Sequence, residues 1–271
     1  MTPTTSSLPS FETISLARRG RLLTITLNRP DVLNAVNEQM HAELGDVFAF
    51  AATDEGSDVL LLTGAGRAFS AGGDLTYLAD TAKHPERFDV DVRRAKRIVY
   101  TILDLEKPLV CKLNGHAVGL GATLALLCDV VFAAEHAKIG DPHVSVGLVA
   151  GDGGAFVWPQ RIGYARAKEY LLTGELVPAP KAEQIGLVNH CLPAAELDAA
   201  VDAFCQRLLN GSTNAIRWTK VTINLELKRI AHAVMDAGIA YEAVTIRSAD
   251  HQEAVEALQN KRPPVFKREP G

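Results

Sequence analysis

The sequence predicts an α/β fold in which strands and helices alternate over the first half of the chain and a helical layer follows in the second. Three observations support this. A hairpin of alternating polarity opens the chain, helix and strand then succeed one another with glycine-rich turns between them, and the pattern beyond Gly153 is mostly helical. Residues 12–18 and 21–28 alternate apolar and polar side chains around Gly20, as a β-hairpin requires. Asn37 precedes a stretch in which Met40, Leu44, Val47, Phe48 and Ala51 share one helical face, ending by about Gly56. Residues 57–62, rich in branched apolar side chains and followed by a glycine turn, read as a buried strand.

The same order returns. A helix over 89–106 places Ala95, Ile98, Val99 and Ile102 on one face, and a strand over 109–113 follows, then a helix from near Gly119 and a strand over 129–134. Such alternation favours stacked right-handed crossover units with their turns collected on one side. Further helices are expected over 165–172, 180–185, 196–209, 214–227 and 231–247, with Gly186 as a stop and Pro193 as a start. No repeat or long linker divides the chain. The expected organisation is a loose tail over 1–10, an α/β core over 11–200 and a helical region over 201–271.

Composition removes several function classes. With 28 Lys plus Arg against 32 Asp plus Glu, the net charge of −4 argues against a nucleic-acid binder that neutralises many phosphates. The longest nearly apolar stretch, residues 117–128, is too short to cross a bilayer, so no membrane partner is expected. The first ten residues lack the basic start and apolar run of a secretory signal, and a cytoplasmic location is expected. Cys111, Cys128, Cys191 and Cys205 form no CxxC pair and read as reduced core residues, with no metal site.

Three turns are the places for chemistry. The first, from Gly64 to Leu75, follows a strand, and its adjacent glycines allow N–H groups to face a ligand. It is not a dinucleotide fingerprint, because Phe69 stands where the third glycine belongs. The second, from Asn114 to Leu124, leads into a helix whose unpaired N–H groups and dipole favour negative charge. The third, from Gly140 to Gly154, holds His143 and Asp152, an imidazole and a carboxylate that could exchange protons at neutral pH. Each has a plainer reading as well: a tight turn, close helix packing, and a helix cap at Asp152.

Taken together and in order, these segments resemble the crotonase, or enoyl-CoA hydratase/isomerase, family. The resemblance includes Leu27, Asn28, Arg29 and Pro30 with Leu33, Asn34 and Ala35, then Phe69 to Asp74, then Asn114 to Gly121 with Cys128 and Asp129. Gly163, the run Leu172, Thr173 and Gly174, residues 182–188, and Lys261, Arg262 and Pro263 extend it, so that it covers roughly residues 12–267.

The resemblance implies a spiral of ββα units, with a helical C-terminal region that forms a homotrimer or a dimer of trimers. It implies a coenzyme A thioester as substrate and no separate cofactor. Carried over by position, the backbone N–H groups of Ala71 and Leu120 would form an oxyanion hole. Val32, Gly72, Asp74, Leu75, His116, Gly119 and Thr123 would lie around the substrate. The chain departs from the common hydratase where two glutamates are expected, because those positions hold Thr123 and His143. The ordinary two-glutamate mechanism is therefore excluded.

His143 and Asp152 resemble instead the branch of oxocamphor hydrolase and related β-diketone hydrolases. There His143, oriented by Asp152, would activate water. Arg93, Arg94 and Arg97 could meet the phosphates of coenzyme A or form a solvated helix face, Lys261 and Lys267 could contribute from a neighbouring subunit, and Tyr241 or Glu242 could reach the acyl pocket. Three functions follow as expectations: an acyl-CoA enzyme using His143 and Asp152, a CoA-independent β-diketone hydrolase, or a non-catalytic acyl-CoA-binding or partner-binding trimer.

Overall fold

The computed structural model describes residues 7–266. Strands β1 (Ile14–Arg19) and β2 (Leu22–Leu27) pair antiparallel, turning at Gly20. Helix α1 (Glu38–Thr53) starts at Asn37, whose side chain accepts a hydrogen bond from the Met40 amide, and it buries the five apolar residues of its predicted face. Then come β3 (Val59–Gly64), α2 (Leu75–Lys83), α3 (Phe88–Asp104), β4 (Leu109–Leu113), β5 (Ala117–Val118) and α4 (Leu120–Leu127). They are followed by β6 (Val130–Ala134), β7 (Lys138–Gly140), α5 (Gly154–Thr173), β8 (Val177–Pro178), α6 (Ala179–Gln184) and β9 (His190–Leu192). Helices α7 (Ala194–Leu209), α8 (Thr213–Thr245) and α9 (Ala249–Gln259) complete the described chain.

The main sheet has the order β1-β2-β3-β4-β6-β9, parallel from β2 onward. Every residue of β3 is buried, as expected of a central parallel strand covered on both faces. One face packs on α1, α3 and α4, with Leu60, Leu62, Cys111, Phe48, Ile98 and Leu124 in a single apolar cluster. The other packs on α7 through Leu61, Val110, Phe132, Leu197, Val201 and Cys205. A small sheet, β5-β7-β8, lies at the entrance to α4. All four cysteines are free thiols. Among the described residues no helix is long and apolar enough to cross a membrane.

Several elements differ from the sequence reading. The expected helices over 214–227 and 231–247 are one continuous α8, and α5 begins eleven residues earlier than expected, at Gly154, with non-helical backbone only at Gly163. Helices α2 and α9 and the short strands β5, β7, β8 and β9 are elements that the sequence reading did not include. Of the expected loose tail, residues 1–6 lie outside the described residues, and Leu8 already packs against the core. The division expected after residue 200 falls inside α7, which covers a sheet face.

Two asparagines hold the first two glycine turns together. Asn34 donates to the carbonyls of Ala65 (2.8 Å) and Ala68 (2.9 Å), and Asn114 donates to that of Gly66 (3.0 Å). Bridges from Ser70 to Ala117 and from Val36 to Gly73 then align the turns side by side at the ends of β3 and β4.

Candidate active site

A cavity of about 320 Å³ opens between these turns, the third turn, and helices α2, α3, α8 and α9. Its size suits an acyl group or a small ring. Gly72, with φ +85°, lies so close to the second turn that a Cβ would meet the Val118 carbonyl oxygen at 2.9 Å. Glycine is required there for the two backbones to meet.

The amides on this wall follow from the bridge pattern. The Ala71 N–H donates to Leu33 O (2.9 Å), the Val36 N–H to Gly72 O (2.7 Å) and the Asp74 N–H to Val36 O (3.0 Å). Successive amides of extended chain face opposite sides. The Gly73 N–H is therefore turned away from Val36 and has no partner among the described residues. On the second turn, the Gly119 N–H donates to Gly140 O (2.9 Å), and Leu120 is the first residue of α4, so its N–H has no intrahelical acceptor. Gly73 and Leu120 both line the cavity. The expectation for Leu120 thus agrees with the geometry, whereas the one for Ala71 is corrected: its amide is engaged, and Gly73, two residues on, offers the free donor.

The third turn supplies the titratable groups. His143 opens a short 3₁₀ turn after Pro142, and its Nδ1 hydrogen-bonds Asp141 Oδ1. Its Nε2 lies 3.6 Å from Asp152 Oδ2 and 3.9 Å from Glu242 Oε1, the latter reaching in from α8. The three acids are nearly inaccessible, with 1%, 8% and 4% exposure for Asp141, Asp152 and Glu242. Burial opposes charging the imidazole, but the charges of Asp141 and Asp152 and the hydrogen bond to Asp141 outweigh it and hold the His143 pKa well above its ordinary value. Burial and the neighbouring Asp152 charge push the Glu242 carboxyl well above the usual range. Burial also raises Asp152, against the opposing charge of His143.

These facts revise the sequence reading of the pair. Asp141, not Asp152, orients the ring, and Asp152 faces the other nitrogen on the cavity side. Asp141 was legible as a neighbour of Pro142 and His143 but was passed over, whereas Glu242, expected as a residue that could reach the acyl pocket, lines the cavity and its nearness to His143, ninety-nine positions away, follows no local spacing rule. The Gly154 amide at the start of α5 also faces the Asp152 carboxylate and opposes the effect of burial on it, so the helix-cap reading of Asp152 stands beside the catalytic one. Side-chain donors of Asp141, His143 and Asp152 lie within 4.8 Å of one another, a set that could hold a divalent cation, although Nδ1 is already committed to Asp141.

Of the remaining expected residues, Gly72, Leu75 and Gly119 line the cavity and Val32, Asp74, His116 and Thr123 do not. Val32 is exposed. Asp74 pairs with Arg29 (3.0 Å) and accepts the Thr76 amide (2.9 Å) as the cap of α2. His116 is exposed, and its Nδ1 accepts the Lys138 amide at 3.0 Å, holding β7 in place. Thr123, a residue of α4, is buried, its methyl at 2.6 Å from where a Cβ on Gly153 would sit.

Arg94 pairs with Asp91 and Glu38, and Arg97 with Asp46, while Arg93 is exposed, consistent with a solvated face. Tyr241 and Lys261 are exposed, and Lys267 lies outside the described residues. The cavity wall also contains His41, Tyr77 and Asp91, which the sequence reading did not single out.

Comparison with known proteins identifies the family and the fold. The family model for enoyl-CoA hydratase/isomerase matches residues 18–269. A probable enoyl-CoA hydratase of Mycobacterium tuberculosis is 32% identical over 261 residues, covering 95% of this chain and 98% of that protein. The crystal structure of an enoyl-CoA hydratase/isomerase from Mycobacterium paratuberculosis superposes with a TM-score of 0.86 at 38% identity, covering 92% of this chain and 99% of that one. A β-diketone hydrolase from the cyanobacterium Anabaena, solved with bound (S)-3-oxocyclohexyl acetic acid, superposes with a TM-score of 0.81 at 28% identity, covering 88% of this chain and 95% of that one.

Proposed function

The chain belongs to the enoyl-CoA hydratase/isomerase family, and we propose that it adds water to an α,β-unsaturated acyl-CoA thioester with an acid pair different from the usual two glutamates. The observation that supports this reading is the approach of Asp152 and Glu242 to one edge of His143, in a cavity with two unengaged backbone amides. In this mechanism the amides of Gly73 and Leu120 hold the thioester carbonyl, whose oxygen gains charge as the enolate forms. Water adds to Cβ and gives its proton to the Asp152 carboxylate. Glu242, which burial keeps protonated, delivers its proton to Cα. In this reading His143, whose pKa the neighbouring carboxylates raise, serves as the cation between the two acids and Asp152 takes the part of base.

Coenzyme A enters only as part of the substrate. A homotrimer or a dimer of trimers belongs to the same reading, supported by the exposed Trp218, Ile223 and Leu225 on α8, and its expected setting is the cytoplasm. The test is a panel of enoyl-CoAs followed by loss of the conjugated thioester absorbance. Turnover of at least one thioester, abolished by Asp152→Asn and by Glu242→Gln, is expected.

A second reading is favoured by the likeness to the Anabaena β-diketone hydrolase. In it the same amides receive one carbonyl of a cyclic diketone and water attacks that carbon, cleaving a C–C bond. Turnover of cyclic β-diketones with none of the thioesters overturns the first reading in favour of the second.

A further inference from the structure

The mechanism leaves unused a second polar cluster in the same cavity. Asp91 of α3 is buried, accepts a hydrogen bond from the Tyr77 hydroxyl of α2 at 2.5 Å, and pairs with His41 Nδ1 of α1 at 3.2 Å. Arg94 is 3.4 Å away and also faces Glu38. The three donors hold Asp91 below the ordinary carboxylate range despite its burial, so it is an anion. Asp91 is thereby satisfied, but the ring it orients is not. His41 is 8% exposed, lines the cavity, and its Nε2 is buried without a hydrogen-bond partner among the described residues.

A buried polar atom left unpaired is destabilising, and the same cavity shows that apolar residues can form its wall, as Leu78, Phe88 and Ala95 do. Three helices therefore converge to fix one imidazole on the cavity wall, with Nδ1 committed to Asp91 and Nε2 unpartnered among the described residues. We infer that His41 Nε2 is a second substrate contact and that the acyl group carries an oxygen function, a hydroxyl or a carbonyl, that meets it while the thioester carbonyl lies against Gly73 and Leu120. This rests on the acyl-thioester reading above and narrows its substrate class. With Nδ1–H held by Asp91, a neutral ring accepts from a hydroxyl at Nε2, and a charged ring donates to a hydroxyl or carbonyl oxygen. A hydrocarbon satisfies neither state. Tyr77 has its hydroxyl committed to Asp91, so it positions the ring and is not itself the contact.

The experiment compares matched thioesters of equal chain length, one plain and one bearing a hydroxyl or oxo group, on the wild type, on His41→Met and on Tyr77→Phe. The wild type is expected to favour the oxygenated member by about 100-fold or more in kcat/KM. His41→Met should bring the ratio to within about threefold by losing turnover of the oxygenated member alone, and Tyr77→Phe should lower it part way through KM. If His41→Met does not fold, the wild-type ratio and Tyr77→Phe still decide, since the latter keeps its ring. Equal turnover of both members by the wild type, or an equal loss on both in the variants, overturns the inference while leaving the acyl-thioester reading intact. Failure of the wild type on every thioester overturns both, and is recognised by the absence of any rate to compare.

Discussion

Replacing Leu120 by proline deletes one N–H from the cavity wall and little else of the backbone. Leu120 is the first residue of α4, so its amide makes no helical hydrogen bond, and proline is well tolerated at that position. Gly119 before it has φ +54° and no Cβ, which eases the clash that proline imposes on its predecessor. An amide that stabilises developing charge in acyl chemistry is worth about 3 kcal/mol, and a tenfold rate change corresponds to about 1.4 kcal/mol. Leu120→Pro should therefore lower kcat/KM by about 100- to 1000-fold.

The side chain is the confounding factor, because Leu120 is 8% exposed and belongs to the main apolar cluster. Leu120→Ala removes the same contacts and keeps the amide, so it is the reference. Both variants should melt earlier than the wild type, by a loss of about 2–4 kcal/mol, and only the proline form should lose its rate. The assay is steady-state turnover of the best thioester, with a thermal melt of each variant. If Leu120→Pro keeps more than about a tenth of the Leu120→Ala activity, the Leu120 amide does not hold the reacting carbonyl, and the mechanism fails at its first step.

Asp141→Asn keeps the shape of the group on His143 Nδ1 but removes its charge. That charge raises the His143 pKa, so the pH–rate limb set by this group should move to lower pH in the variant, with kcat lost where the cation is no longer held; an unmoved profile contradicts the assignment. Stability should also depend on pH through this cluster. A histidine whose folded pKa is raised contributes stability that is complete below about 6.5 and is lost as pH rises through the folded value. Differential scanning calorimetry should thus show a lower Tm at pH 9 than at pH 6.5, and a smaller difference in Asp141→Asn; equal slopes in the two proteins would remove the cluster as the cause. Finally, Lys107 is buried, and its Nζ donates to the Ala51 and Asp54 carbonyls at the end of α1 and to Ser57 Oγ (3.3 Å). Lys107→Met should destabilise the fold by about 3 kcal/mol in urea melts, from lost charged hydrogen bonds, and a change below about 1 kcal/mol would show these carbonyls to be satisfied otherwise.

The sequence was most informative where chain segments of ordinary length each bury one face. The hairpin around Gly20, α1 behind its Asn37 cap, and β3 with its unbroken apolar run all express local rules, and their boundaries agree within about three residues. The glycine turns were legible for the same reason, since glycine at 72 marks backbone that must approach other backbone and glycine at 119 a positive φ. Which amide faces the cavity was not legible. It depends on the phase of the bridge between Val36 and Gly73, thirty-seven positions apart, and a shift of two residues moves the free donor from Ala71 to Gly73. His41, Tyr77 and Asp91 were missed because each reads as an ordinary helical position until three helices bring them together.

The third turn shows how a carboxyl group reaches His143 although the two expected glutamates are absent. Glu242 can stand near His143 only if α8 passes close to that turn, and the point of passage is Gly151 against Gly238. A Cβ on Gly151 would run into the Gly238 carbonyl and lie 2.8 Å from Glu242 Oε2. Any side chain at 151 would therefore push α8 outward and carry Glu242 away from Nε2, with no change in a catalytic residue. Thr123 and His143, read by position alone, suggest that an acid pair has been deleted. The packing of one helix on a glycine brings a carboxyl group from the far end of the chain to the same cavity, where the proposed mechanism uses it to complete an acid pair with a different connectivity.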